Sequence, residues 1–259
     1  MKLQIVPAKT GVQWFKQGVR TFLKQPLALS GLFFMFMAAM SILSMVPVIG
    51  NVLALAVLPG ATLGLMAATR EASQSKFPMP KVLFSGFSAG RQQLKAMLVL
   101  GLIYAVAFLL VLAISATVDG GKFAHLYLFG GEMNPETLQG ADFELAVLLA
   151  MALYMPLSLL FWHAPALVHW HGISPVKSLF FSFVACLRNF WAFTVYSLMW
   201  LGAFLAMGTV VAIIAGLTGS GELVSSLIFP AAMVLAAMYF TSIYFTFVDC
   251  FEGDEGVAP

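Results

Sequence analysis

The sequence predicts an all-α, polytopic transmembrane helical bundle of six spans, and three observations lead there. The first is composition: 61% of the 259 residues are hydrophobic and 9% charged, with a mean hydropathy of +0.95. Soluble domains carry about 25% charged residues. A fold with 13 Lys and Arg and 11 Asp and Glu cannot clothe a soluble surface of this size. The second is that the charges cluster between long uncharged intervals, and the third is that the clusters sort by sign. Barrel strands alternate polar and apolar residues over about ten positions, whereas these intervals are apolar on all sides. The composition excludes disorder, collagen-like repeats and nucleic acid as a partner.

Residues 1–259 read as a single membrane domain. The opening MKLQIVPAKTGVQWFKQGVRTFLKQ is basic and lacks an early apolar core, so the first span is expected as a retained anchor rather than a cleaved signal. Between Lys24 and Arg70 lie 45 residues without a charge. One helix of that length would reach about 68 Å, twice the hydrocarbon thickness, so the run must turn back. Pro47, Gly50 and Asn51 supply the turn, giving spans near 27–46 and 50–68. The remaining intervals place spans near 96–117, 144–167, 190–216 and 223–247, with an acidic loop over 118–143.

With six spans, 12 of the 13 basic residues fall on one side and only Lys122 on the other. The positive-inside rule then expects both termini in the cytoplasm. The short tail DCFEGDEGVAP is acidic but counts little in that rule.

Three inner segments resemble one another: VQWFKQGVRTFLKQPLA, MPKVLFSGFSAGRQQLKA and SPVKSLFFSFVACLRNFWA. They predict amphipathic helices near 12–25, 81–95 and 176–189, with apolar stripes through Phe15, Val19, Phe22 and Leu23, through Leu83, Phe87 and Leu94, and through Leu179, Phe183, Leu187 and Phe190. Each leads into an outward span, so the bundle reads as three repeats of inner amphipathic helix plus helical hairpin. Phe15, Phe87 and Phe183 are expected to be buried against spans or lipid.

At LALSGLFFMFMAAMSILSMVP, LPGATLGLMAATREA, FPMP, AGRQQLKAMLVLG and LLFWHAPALVHWHGISPVKSLFFSFVACLRNFWAF, the sequence resembles a family of uncharacterised six-span inner-membrane proteins of proteobacteria. The resemblance runs over nearly the whole chain and implies location and architecture. It brings no activity, ligand or catalytic residue with it.

Candidate chemistry is sparse. The interiors of the spans contain no Asp, Glu, Lys or Arg of the kind that proton relays and coupled pumps use. His163, His169 and His171 cluster at the end of span four, but their spacing is poor for zinc, and Trp162 and Trp170 alternate with them as in an aromatic belt. His125 stands alone in the outer loop. Cys186 and Cys250 offer no disulfide framework. Gly60, Gly64 and Ala68 would let a neighbouring helix approach closely. Tyr239, Ser242 and Thr246 form a polar seam along span six, either a lining or a set of interhelical hydrogen bonds. We expect no catalytic, cofactor-binding or metal-binding residues, and no cofactor. Lys16, Arg20, Lys24, Arg91, Lys95, Lys177 and Arg188 are the expected contacts to lipid headgroups or a partner. The expected function is that of a non-enzymatic accessory or organising subunit binding membrane lipids and another membrane protein or complex. A passive or lipid-type transporter using the polar seam is the alternative.

Overall fold

The computed structural model describes residues 2–47, 49–130, 140–219 and 221–252. The central part of the acidic outer loop, with Glu132 and Glu136, and the end of the tail lie outside them. Among the described residues the chain is helical save for one two-residue strand pair, β1 (Lys2–Leu3) and β2 (Phe251–Glu252). Six helical stretches are long and apolar enough to cross a bilayer: Pro26–Ser44, Gly50–Ser73, Arg91–Asp119, Ala141–His171, Phe190–Thr218 and Ser226–Cys250. The helices are α1 (Thr10–Lys24), α2 (Pro26–Ser44), α3 (Gly50–Ser73), α4 (Ser85–Ser88), α5 (Arg91–Asp119) and α6 (Lys122–Phe129), followed by α7 (Ala141–Phe161), α8 (Ala164–His171), α9 (Pro175–Arg188), α10 (Phe190–Thr218) and α11 (Gly221–Cys250).

The exposed sides carry the membrane signature. On α5, Leu98, Leu102, Val106, Leu110 and Ile114 recur every fourth residue, and each is about half exposed. Such a ridge is stable only where hydrocarbon covers it.

The chain divides into two compact units, residues 1–37, 61–85 and 184–259, and residues 38–60 and 86–183. In the first unit, α1 packs on α10 and α11. Its packed face is Gly11, Trp14, Gly18 and Phe22. Trp14 is fully buried, with its ring 5.1 Å from Phe193 and 5.9 Å edge-on to Tyr196. Two glycines permit that approach. A Cβ on Gly18 would meet the Cα of Ser242 at 2.7 Å, and one on Gly11 would meet the amide nitrogen of Tyr196 at 2.7 Å. Phe33, Phe36 and Phe240 close the rest of this core.

In the second unit α5 packs on α7, through Tyr104 against Phe161 at 4.9 Å and Phe108 against Tyr154 at 5.8 Å. Asp119 ends α5 and accepts hydrogen bonds from the amides of Gly121 and Phe123, which starts α6. Span four is interrupted at Trp162 and His163, just before Pro165. The Ser182 hydroxyl fills the gap, donating to the carbonyl of Leu159 at 2.8 Å and accepting from the amide of His163 at 2.9 Å. Those two backbone groups would otherwise bond to each other, so the serine is inserted into the helical ladder.

The inner segments differ from expectation in two ways. The stretch 81–95 is not one helix: a 3₁₀ turn at Pro80–Phe84 and the short α4 end at Gly90, whose φ of +103° only glycine adopts freely. Arg91 and Lys95 therefore sit on the first turns of the span α5. The stripes also shift. Phe15, Phe87 and Phe183 are half-buried, and Leu23, Leu187 and Phe190 are exposed. On α9 the buried residues are Ser178, Ser182, Ala185 and Cys186, while Val176 and Phe180 point outward. Large apolar side chains can face outward there because the solvent is lipid, and small ones pack inward because they let helices approach.

Candidate functional site

All seven cations expected as headgroup or partner contacts are exposed. Lys16, Arg20 and Lys24 recur every fourth residue and so form one row along α1. Beside it runs a second row, Phe15, Val19 and Leu23, and the six side chains line an open groove of about 400 Å³. The helix bears no acidic residue. Arg91 and Lys95 share a face of α5 one turn apart, while Lys177 and Arg188 occupy opposite ends of α9.

The seam of span six is internal. The Ser242 hydroxyl is fully buried, 2.6 Å from the hydroxyl of Tyr196, and the same group reaches the carbonyl of Tyr239. Thr246, also fully buried, donates to the carbonyl of Ile243 at 2.7 Å. Tyr239 stacks on Tyr196 at 6.2 Å. These groups join α10 to α11, with α1 pressed over Ser242 through Gly18.

The histidines are not brought together as ligands. His163 is buried at the break in span four, whereas His169 and His171 are half-buried at the end of α8. Among the described residues no three His, Cys, Asp or Glu side chains gather as a metal would need. Burial pushes the Cys186 thiol above its ordinary range, which keeps it protonated and unreactive.

A cluster that sequence reasoning missed ties the termini together. Asn189 is buried; its side-chain oxygen accepts from the amide of Val6 at 2.8 Å, and its nitrogen donates to the carbonyls of Gln4 and Ala185. The indole of Trp14 donates to Asp249 at 2.9 Å, and β1 pairs antiparallel with β2. Residues 2–6 and 249–252 thus lie on the same side, as an even number of spans requires. The only hint in the sequence is the amide at the end of CLRN, directly before an apolar run.

A protein of Burkholderia thailandensis named "probable inner membrane protein" is 41% identical over 262 residues, an alignment that takes in 100% of this chain and 97% of the relative. The chain matches no protein-family model and no solved structure. Identity at that level from end to end, together with six apolar helices, means that this chain belongs to a family of multi-pass bacterial inner membrane proteins.

Proposed function

We propose that the protein is a non-enzymatic accessory or organising subunit, which holds anionic lipids or a partner protein at the face where its termini emerge. That face is cytoplasmic in this reading, because 12 of 13 basic residues belong to it. The observation that carries the reading is the contrast between exposed and buried polar groups. Lys16, Arg20, Lys24, Arg91, Lys95, Lys177 and Arg188 are all presented outward. Inside the first unit, Tyr196, Ser242 and Thr246 are spent on hydrogen bonds within and between helices. Gly18 packed over Ser242 favours helix association over passage as the use of the seam. Each juxtamembrane cation adds about 1 kcal/mol of attraction to an anionic leaflet.

The test is purification in a mild detergent, followed by mass spectrometry of the lipids and proteins that stay bound. Anionic phospholipid or a stoichiometric partner protein is expected. Recovery of the bare chain, or flux of a polar solute through reconstituted vesicles, would overturn the reading.

A further inference from the structure

We propose that the outer face of α1 is a binding site for one anionic phospholipid, with the phosphodiester on Lys16, Arg20 and Lys24 and an acyl chain along Phe15, Val19 and Leu23. This deepens the function proposed above and rests on it.

The geometry follows from helical spacing. Residues four apart drift by about 40° around a helix, and neighbours differ by about 100°. The packed face of α1 is Gly11, Trp14, Gly18 and Phe22. The apolar row Phe15, Val19 and Leu23 flanks it, and the cationic row Lys16, Arg20 and Lys24 lies beyond, turned away from α10 and α11. Each row runs over nine residues, eight rises of 1.5 Å or roughly 12 Å. The groove between them is lined by these six side chains.

The occupant is identified by that pairing. A free anion would use the cations and leave the apolar row exposed to water. A phospholipid uses both. The apolar surface also leads toward hydrocarbon: Leu23 is 61% exposed at the end of α1, and Leu27 is 89% exposed in the first turn of α2, itself a span. With no Asp or Glu on α1, nothing on the helix neutralises the row locally. Arginine and lysine together suit a phosphodiester, the first as a planar fork and the second as a mobile point charge. No comparable pairing exists on the other cationic sites. Arg91 and Lys95 are only two residues, and Lys177 and Arg188 stand at opposite ends of α9.

The experiment titrates full-length protein in detergent with phosphatidylglycerol and with phosphatidylcholine, and reads bound lipid by native mass spectrometry. Wild type should prefer phosphatidylglycerol. The triple variant Lys16→Gln, Arg20→Gln, Lys24→Gln should bind it about tenfold more weakly or worse. The control triple Arg91→Gln, Lys95→Gln, Lys177→Gln removes the same charge from the basic face and should weaken binding clearly less than the α1 triple does. Leu23→Ser should weaken phosphatidylglycerol binding with every cation in place, which a site for free phosphate would not show. Arg20→Gln alone should move the same way, and serves if the triple variant does not fold. Equal losses in both triple variants would overturn the α1 site while leaving the basic face of the proposed function intact. Wild type without preference for phosphatidylglycerol would overturn both for lipids. Unchanged lipid binding with loss of a co-purifying protein from the α1 variant would make this face a protein interface, and would also overturn the lipid site.

Discussion

Asn189 concentrates more structure than any other polar side chain described here. It is 2% exposed and satisfies backbone groups of Gln4, Val6 and Ala185 at once. A buried backbone group left without a partner costs about 1–3 kcal/mol. Asn189→Ala should therefore lower stability by about 2 kcal/mol or more and free the N-terminal segment. Hydrogen exchange should show faster exchange at the Val6 amide, and unchanged exchange there would refute the tether. The histidines call for a different measurement. A zinc site needs at least three donors at about 2.0–2.1 Å, and among the described residues no three His, Cys, Asp or Glu side chains gather in one place. Elemental analysis of purified protein is expected to find no stoichiometric zinc, and the double variant His169→Gln, His171→Gln should fold normally. One zinc per chain, lost in that variant, would reverse the assignment.

At the scale of elements, α1 shows how little room a membrane-face helix needs to become part of the bundle. Gly11 and Gly18 lie seven residues apart on one stripe, and the space of their missing side chains is occupied by α10 and α11 backbone. Gly18→Val should push α1 off Ser242 and break the Tyr196–Ser242 contact indirectly, at a cost of about 1–3 kcal/mol from overpacking. Thermal unfolding followed by tryptophan fluorescence would report it, because Trp14 would lose its burial against Phe193 and Tyr196. A melting curve like that of wild type would mean that α1 can dock without this glycine. Comparable close approaches recur at the other inner segments. Phe87 and Leu83 fill the space beside Gly60 and Gly64 of α3, and Ser182 enters the ladder of α7.

For the whole molecule, topology is the decisive quantity. Cys186 and Cys250 are buried, so neither should react with a membrane-impermeant thiol reagent and both can remain in the background. Cysteines placed at His125 and at Gln74, both exposed, should then report opposite sides. Labelling from the periplasm is expected at position 125 and not at 74; the reverse, or labelling of both, would refute cytoplasmic termini. The number of spans could be read from the sequence because bilayer thickness imposes a length, and a charge costs too much to sit within it. The break before Pro165 has a local cause, since proline removes a backbone donor. The faces of the inner helices were not legible. Amphipathicity marks two sides of a helix without saying which solvent each side meets, so the stripes could face spans or lipid, and in the structure Phe15 is half-buried while Leu23 and Leu187 are exposed. Nor could spacing reveal Asn189 or Ser182. Their partners at Gln4, Val6 and Leu159 lie 185, 183 and 23 residues away, brought near only when helices pack. Local chemistry and the thickness of the membrane set which segments cross. Long-range packing set which small or polar residues, Gly18, Ser182, Asn189 and Ser242, became the contacts between them, because a hydrogen bond or a close approach exists only once both partners are in place.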